Sequence, residues 1–460
     1  MWTSLLLLPG LLCLTTAVEV QIVQTLNGTI QGGKCITTDA NYFFSIPYAT
    51  PPVRKLRYAA PRSYTVSFNR TLNATTAARS CIQFGTSFIE SNVQSEDCLY
   101  LNIWTPTSAT PDSNLPVRAW LYGGSKEAGG ISNQTYTGCF SVADAVVVSI
   151  NYRMGPWGFL PYRAKVLLYG ESAGATDTFV LASLPSAPRL MRAAALEFGA
   201  GRNLSTVGEA QAWQETFLGA LNCTPVHRCK LTAHETECVR AASPSDLQAA
   251  VNSMPEAGVP GTSSLLTFQG SRDAWGPLVD GSLIPISPSA AGVQVPSIIG
   301  SNSDEGTLFI LNYYGASDFL NESAYDTFLS HDYGPLTFKT VLMESRIKCP
   351  THRALKKAVE NKVPVWSYEF KHVPSCAWFE AVPQTVMPLL GATHTAEIPF
   401  VSNMTDHLPS PEGNCRFRTE EKALVGAMNQ AWTVMAKYGR PDDETVACVD
   451  RGERDECQHS

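Results

Sequence analysis

The run Lys165–Tyr169 (KVLLY), passing straight into Gly170-Glu171-Ser172-Ala173-Gly174, constrains this chain more than any other feature. A short aliphatic run of this kind reads as a buried strand. A helical stretch follows from Ala173 to Leu184, and Pro185 ends it. A strand that turns into a helix within one residue presents that residue at the edge of a sheet on a strained backbone. Glycines flank it because bulkier neighbours would clash. G-x-S-x-G in this setting is a nucleophile elbow. The helix N-terminus behind Ser172 favours the negative charge that develops on oxygen during acyl transfer. The pentapeptide alone arises easily by chance; the strand and helix around it give it weight.

The same alternation continues along the chain. Pro116–Tyr122, Ala145–Ile150, Ser297–Gly300 and Val365–Phe370 read as buried strands. Thr419–Tyr438 reads as a helix: Leu424, Ala427, Met428, Ala431, Trp432 and Met435 recur at helical spacing, and Gly439 and Pro441 stop it. Strands mixed with helices predict an α/β fold, a mostly parallel twisted sheet with helices on both faces. No repeat or linker divides the 460 residues, so residues 18–460 are expected to form one domain. Hydrophobic residues make up 44% and the net charge is −7. That composition excludes a disordered chain and argues against a nucleic-acid partner, which calls for a basic surface.

A serine nucleophile needs a base, and the base needs an orienting acid. His394, in Gly391-Ala-Thr-His-Thr-Ala-Glu-Ile-Pro-Phe400, is the candidate base. Glu305, just past the strand Ser297–Gly300, is the candidate acid. Taken singly, each has a plainer reading, a hydrogen-bonded histidine and a solvated turn carboxylate. The order Ser172, Glu305, His394 is that of α/β-hydrolases. Nothing in this chemistry requires a metal or cofactor.

Residues 1–17 read as a secretory signal peptide, with an apolar core from Leu5 to Leu14 and a small-residue site at Thr15-Thr16-Ala17. The stretch is too short to span a bilayer, which takes about 20 apolar residues. No later segment is long and apolar enough, so no transmembrane segment is expected. Twelve cysteines remain after removal of Cys13, without C-x-x-C spacing, and eight N-x-S/T sequons occur, at Asn27, Asn69, Asn73, Asn133, Asn203, Asn222, Asn321 and Asn403. Together these point to secretion, disulfides and glycans.

Further motifs make the chain resemble the type-B carboxylesterase, lipase and cholinesterase family. Ser45-Ile-Pro-Tyr-Ala-Thr-Pro-Pro52 is similar to the family's N-terminal segment. Glu96-Asp-Cys-Leu-Tyr-Leu-Asn102 matches its signature. Ile150-Asn-Tyr-Arg153 and Gly158-Phe-Leu160 match two further landmarks. The resemblance implies an α/β-hydrolase fold and hydrolysis of small-molecule or lipid esters through an acyl-enzyme. It puts Ser172, Glu305 and His394 in the catalytic positions and Gly124, Ser125 and Ala173 at the oxyanion hole. It also implies a disulfide between Cys81 and Cys98 and another between Cys223 and Cys238, with Cys229 as a rival partner. Cys349-Pro350 and the Val373–Trp378 loop resemble the fungal secreted branch.

Four departures from the family pattern stand out. The family's glycine loop continues with glycine and an aromatic residue, whereas here Tyr122-Gly123-Gly124 is followed by Ser125 and Lys126, which places Lys126 near the acyl site. Losing one oxyanion donor lowers turnover by about 10²–10³-fold. The crossover helix before the elbow is missing: Asn151–Ala164 spans only 14 residues, enough to run back along a strand but not to cover the sheet. Either the chain is a compact variant or an exon is absent, and both readings expect an uncovered apolar face. Phe198, in Glu197-Phe-Gly199, replaces a small polar residue and removes a hydrogen bond to the triad. A charged Cys448–Ser460 tail stands in place of the family's final elements. The alternative to an esterase is an impaired or inactive cholinesterase-like binding protein.

Overall fold

The apolar runs fold as strands of one large mixed sheet. In the computed structural model, residues 20–442 are described apart from 37, 58, 60, 84–89, 91, 92, 125, 143, 155–165, 224–232, 254–275, 309, 310, 312–347, 380, 381, 383 and 410–412. The N-terminal strands are β1 (Gln21–Thr25), β2 (Gly28–Lys34), β3 (Ala40–Pro47), β4 (Leu72–Asn73), β5 (Ser80–Cys81), β6 (Gln94–Ser95) and β7 (Tyr100–Pro106). They are followed by β8 (Val117–Leu121), β9 (Val146–Ile150), β10 (Val166–Glu171), β11 (Ala193–Glu197), β12 (Ser297–Asn302) and β13 (Val365–Phe370). The sheet runs in the order β1-β2-β3-β7-β9-β8-β10-β11-β12-β13, with β4 beside β2, while β5 and β6 pair by themselves. Pairing is antiparallel from β1 to β9 and parallel from β9 to β13.

Two strands extend beyond what their apolar runs suggest, because a partner strand continues the ladder. β10 runs on to Glu171, which pairs in register with Glu197, and β12 runs to Asn302, opposite Phe370. Each ends in polar residues, and these ends become the functional edge of the sheet.

Helices cover the centre of the sheet on both sides. α1 (Ala173–Ser183) and α3 (Thr419–Tyr438) each pack across β8, β10 and β11, while α2 (Cys349–Glu360) packs against β12 and β13. Strand alternation assigns the faces. Glu197 points toward α3, accepting from Trp432 Nε1 at 2.7 Å, and buried Arg118 donates to Val401 O at 3.1 Å and Thr433 Oγ1 at 3.4 Å on the same side. Leu167, Leu168, Leu196, Ile298, Ile299, Phe179, Trp432 and Met435 belong to one continuous core. α3 stops at Gly439, whose φ of 75° lets its N–H reach back to Met435 O.

Residues 155–165, which hold most of the short connection, lie outside the described residues. The neighbouring strands nonetheless show uneven cover. Leu101, Ile103, Val146, Val148 and Ile150 lie on one face of β7 and β9 and are half-buried, while Asn102, Trp104, Val147 and Ser149 on the other face are buried. This row is half-buried, and Ile103 and Ile150 pack against apolar clusters of the core.

Disulfides link Cys35 to Cys139, Cys81 to Cys98, Cys223 to Cys238 and Cys376 to Cys415. Cys229 lies outside the described residues. Among the described residues, no helix is long and apolar enough to cross a membrane.

The two faces of β9 make a direct test. Val147→Thr buries a hydroxyl and should cost about 1–3 kcal/mol. Val148→Thr, on the half-covered face, should cost less than about 1 kcal/mol. Urea unfolding midpoints read the difference, and equal losses would contradict the assigned faces.

Candidate active site

Loops from several strands meet at the C-terminal ends of β8, β10, β11 and β12, the edge where open α/β sheets bind ligands. Ser172 stands at the corner between β10 and α1 with φ 56° and ψ −120°, a strained conformation for a residue with a side chain. Its N–H donates to Glu197 O at 3.0 Å, and its carbonyl accepts from Thr176 N–H at 3.0 Å, so β11 and the first turn of α1 hold the corner from both sides. A Cβ on Gly170 would come within 2.6 Å of the Gly174 carbonyl carbon, and one on Gly174 within 2.1 Å of Leu121 O. Only glycines let the elbow press this closely onto β8.

Glu305 lies three residues beyond β12, fully buried. One carboxylate oxygen accepts the Asn302 N–H at 2.8 Å, and the other is 2.6 Å from His394 Nδ1. The histidine loop is fastened to this same corner. Asn302 donates its side-chain amide to Thr393 O at 2.7 Å and to the Glu397 carboxylate, and Leu308 N–H donates to Thr393 Oγ1 at 2.9 Å. Two residues 89 positions apart thus form one hydrogen-bonded pair. His394 Nε2 lies 3.1 Å from Glu171 Oε1. Among the described residues the Ser172 hydroxyl makes no hydrogen bond.

Phe198, just past β11, occupies the place where a hydrogen bond to the site was expected to be lost. It supplies an apolar wall instead: its ring meets the His394 ring edge-on, with centroids 4.4 Å apart, and the Arg202 guanidinium lies 5.0 Å from its centre. Phe198 does this at φ 60°, which is uncommon for a bulky residue.

Beside Glu305, the site gathers three buried carboxyl groups that the sequence motifs alone did not mark. Glu171, Glu197 and Glu397 are buried, as Glu305 is. Burial raises all four, Glu305 to about 8 and Glu397 to about 7, with Glu171 and Glu197 well above the ordinary carboxylate range. The Asn302 N–H opposes the rise at Glu305, and neighbouring carboxylates add to it at Glu171. Burial also holds the His394 imidazole neutral, down to about 3. Of the three carboxyls besides Glu305, Glu171 was within reach of sequence reasoning as the variable residue of the elbow motif.

The glycine loop abuts the elbow. A Cβ on Gly123 would lie 2.9 Å from Ser172 Cβ. Gly124 has φ 116°, and its carbonyl accepts from Glu127 and Ala128 N–H, both at 3.0 Å. Its own N–H donates to no described residue. The Ala173 N–H, first in α1, has no intrahelical acceptor by its position. Ser125 lies outside the described residues. The Lys126 side chain is buried, with Nζ 3.5 Å from Asp177 Oδ1 on α1.

A model of the carboxylesterase family matches residues 19–166, 163–333 and 336–450, with the first two segments meeting at the short connection before β10. The para-nitrobenzyl esterase of Bacillus subtilis is 29% identical over 485 residues, which cover 93% of this chain and 91% of that protein. An acetylcholinesterase of Danio rerio is 31% identical over 386 residues, 70% of this chain and 58% of its own length. Secreted lipase 1 of Botryotinia fuckeliana is 30% identical over 351 residues, 62% of this chain and 59% of the lipase. A solved structure of a PNB esterase superposes with a TM-score of 0.70 at 25% identity, covering 93% of this chain and 92% of that one.

Glu197 offers a sign-specific test. Its carboxyl is raised in the folded state, so its contribution to stability is fully present below the unfolded value near 4.5 and is lost as pH rises. Glu197→Gln keeps an oxygen for Trp432 and removes the titration. The variant should melt a few degrees above wild type at pH 8 and level with it at pH 4.5; a gain confined to low pH would contradict the assignment.

Proposed function

Because the chain belongs to the carboxylesterase family, we propose that it hydrolyses carboxylic esters through an acyl-enzyme on Ser172, with His394 as general base and Glu305 as its orienting acid. The observation that carries this reading is the buried 2.6 Å His394–Glu305 pair, whose imidazole reaches Glu171, the residue that precedes the strained serine at the head of α1. Matches to an esterase and a lipase support ester hydrolysis as the reaction class.

The steps follow from the groups in place. Substrate binding turns His394 Nε2 from Glu171 toward the Ser172 hydroxyl. Nε2 takes the hydroxyl proton as Oγ bonds to the ester carbonyl carbon. The carbonyl oxygen becomes an oxyanion that accepts from the N–H groups of Ala173 and Gly124, with Ser125 completing the loop. Glu305 stabilises the imidazolium through Nδ1–H. His394 then gives its proton to the alkoxy oxygen as the C–O bond breaks, and the alcohol leaves. Water attacks the acyl-serine, its proton passing through Nε2 to Ser172 Oγ as the acid departs. Phe198 closes one side of the imidazole against water.

The same reading makes the protein secreted, with residues 1–17 as its signal peptide and a mature chain starting at Val18. The four disulfides among the described residues and the exposed sequon residues Asn69, Asn73, Asn203 and Asn222 support an oxidising compartment with surface glycans. N-terminal sequencing of the secreted product, and its mobility after glycosidase, test that assignment.

Wild type should be labelled by a fluorophosphonate and should turn over p-nitrophenyl acetate. Ser172→Ala should abolish labelling, and His394→Ala should lower kcat/KM by at least about 10³-fold. The pair must carry an ionised Glu305 to stabilise the imidazolium, so kcat/KM should rise with pH through about 8. A folded wild-type chain that neither labels nor turns over the ester contradicts the proposal.

A further inference from the structure

We propose that the buried Lys126–Asp177 ion pair is the positioning device that holds the oxyanion loop against α1, doing in this chain what a glycine-and-aromatic loop does in the family pattern. The inference rests on the esterase reading of Ser172, since it concerns where the loop's donors stand.

Three observations carry it. First, the pair joins the two pieces that must be in register for an oxyanion hole. Lys126 belongs to the loop that begins at Gly123 and Gly124. Asp177 lies on α1, the helix that starts with Ala173 immediately behind Ser172. Lys126 Nζ and Asp177 Oδ1 are 3.5 Å apart, and their side chains are only 10% and 4% exposed. Charges buried to that degree are costly unless they face each other, so separating them is strongly disfavoured.

Second, neither residue has another evident use. Lys126 holds a left-handed backbone, φ 63°, that a lysine adopts only under constraint. Its long side chain leads inward rather than to solvent. Among the described residues neither carboxylate oxygen of Asp177 has a closer polar partner than Lys126, which leaves the ammonium as the charge that compensates it. Burial pushes Asp177 up to about 6 and Lys126 pulls it back, so the carboxylate is ionised at neutral pH. The phenols of Tyr122 and Tyr152 also feel the Asp177 charge, and burial keeps both in their neutral forms, so they do not compete for the ammonium.

Third, the backbone contacts of Gly124 and Gly129 fix the loop's shape rather than its distance from α1. The Gly124 carbonyl binds Glu127 and Ala128 within the same turn, and Gly129 N–H donates to Gln83 Oε1 at 3.0 Å, away from the helix. The ion pair is thus a direct polar tie from loop to helix. A loop displaced by a fraction of an ångström would bind substrate about as well and stabilise the oxyanion less, so the effect belongs in kcat.

The test compares Lys126→Met, Asp177→Asn, Lys126→Arg and the double variant Lys126→Met/Asp177→Leu on p-nitrophenyl acetate, with thermal melting alongside. Lys126→Met and Asp177→Asn should lower kcat by about 10–100-fold with KM within about twofold, and Lys126→Arg should regain activity to within about threefold of wild type. The double variant leaves no buried charge. It should melt at or above the wild-type temperature and still show the kcat loss. A double variant with wild-type kcat would make the pair structural only, and a loss expressed in KM would place Lys126 in substrate binding; either result overturns the proposal. If wild type itself fails to label with fluorophosphonate, the esterase reading fails. The anchoring claim is then read separately, by hydrogen–deuterium exchange over residues 122–128. Exchange should be faster in whichever of Asp177→Asn and the double variant folds, and unchanged exchange overturns it.

Discussion

The whole site hangs on how closely the head of α1 can approach β8. Gly174 lies so near Leu121 O that no side chain fits between them, and Gly170 is pressed against Gly174 in the same way. That contact forces the chain to turn within one residue, which puts Ser172 into its strained corner. The β10–β11 ladder holds the corner there through the bond from Ser172 N–H to Glu197 O. Strain at one residue costs on the order of 1–3 kcal/mol and persists only where the surroundings over-determine it. Here the central strands β8, β10 and β11, buried on both faces, do so.

From that corner outward, each functional group is set by the end of a strand. β12 runs on to Asn302, whose N–H orients Glu305 and whose side chain ties down the histidine loop at Thr393 and Glu397. β11 delivers Glu197 beneath the corner and Phe198 beside the imidazole. The burial that makes the site dry also drives its carboxyls and its histidine toward their neutral forms. Catalysis in such a place draws on preorganised dipoles and N–H groups rather than on resting charge.

Much of the frame is legible in the sequence because it rests on local signals. The run KVLLY before a glycine-flanked serine specifies strand, turn and helix, and the apolar spacing from Leu424 to Met435 specifies α3. Glu305 and His394 are marked by chain order and by their place after strands. The buried carboxyls are harder to see: nothing in the neighbours of Glu197 or Glu397 says that each will be enclosed, since that depends on Trp432 and Asn302, which are far away in sequence. The direction of Lys126 is hidden for the same reason. Its partner is 51 residues along the chain, on the inner side of a helix whose sequence is read mainly for its first turn. The short connection before β10 is plain in the sequence, and its residues 155–165 lie outside the described ones.

The account stands or falls on a covalent bond between Ser172 and the acyl group of its substrate. Rapid mixing with p-nitrophenyl butyrate, followed by acid quench and peptide mass mapping, tests it most directly. The account predicts a burst of p-nitrophenol stoichiometric with protein and a butyryl group on the peptide that contains Ser172. Turnover without a burst and without an acylated Ser172 peptide, or a butyryl group on another residue, would contradict it.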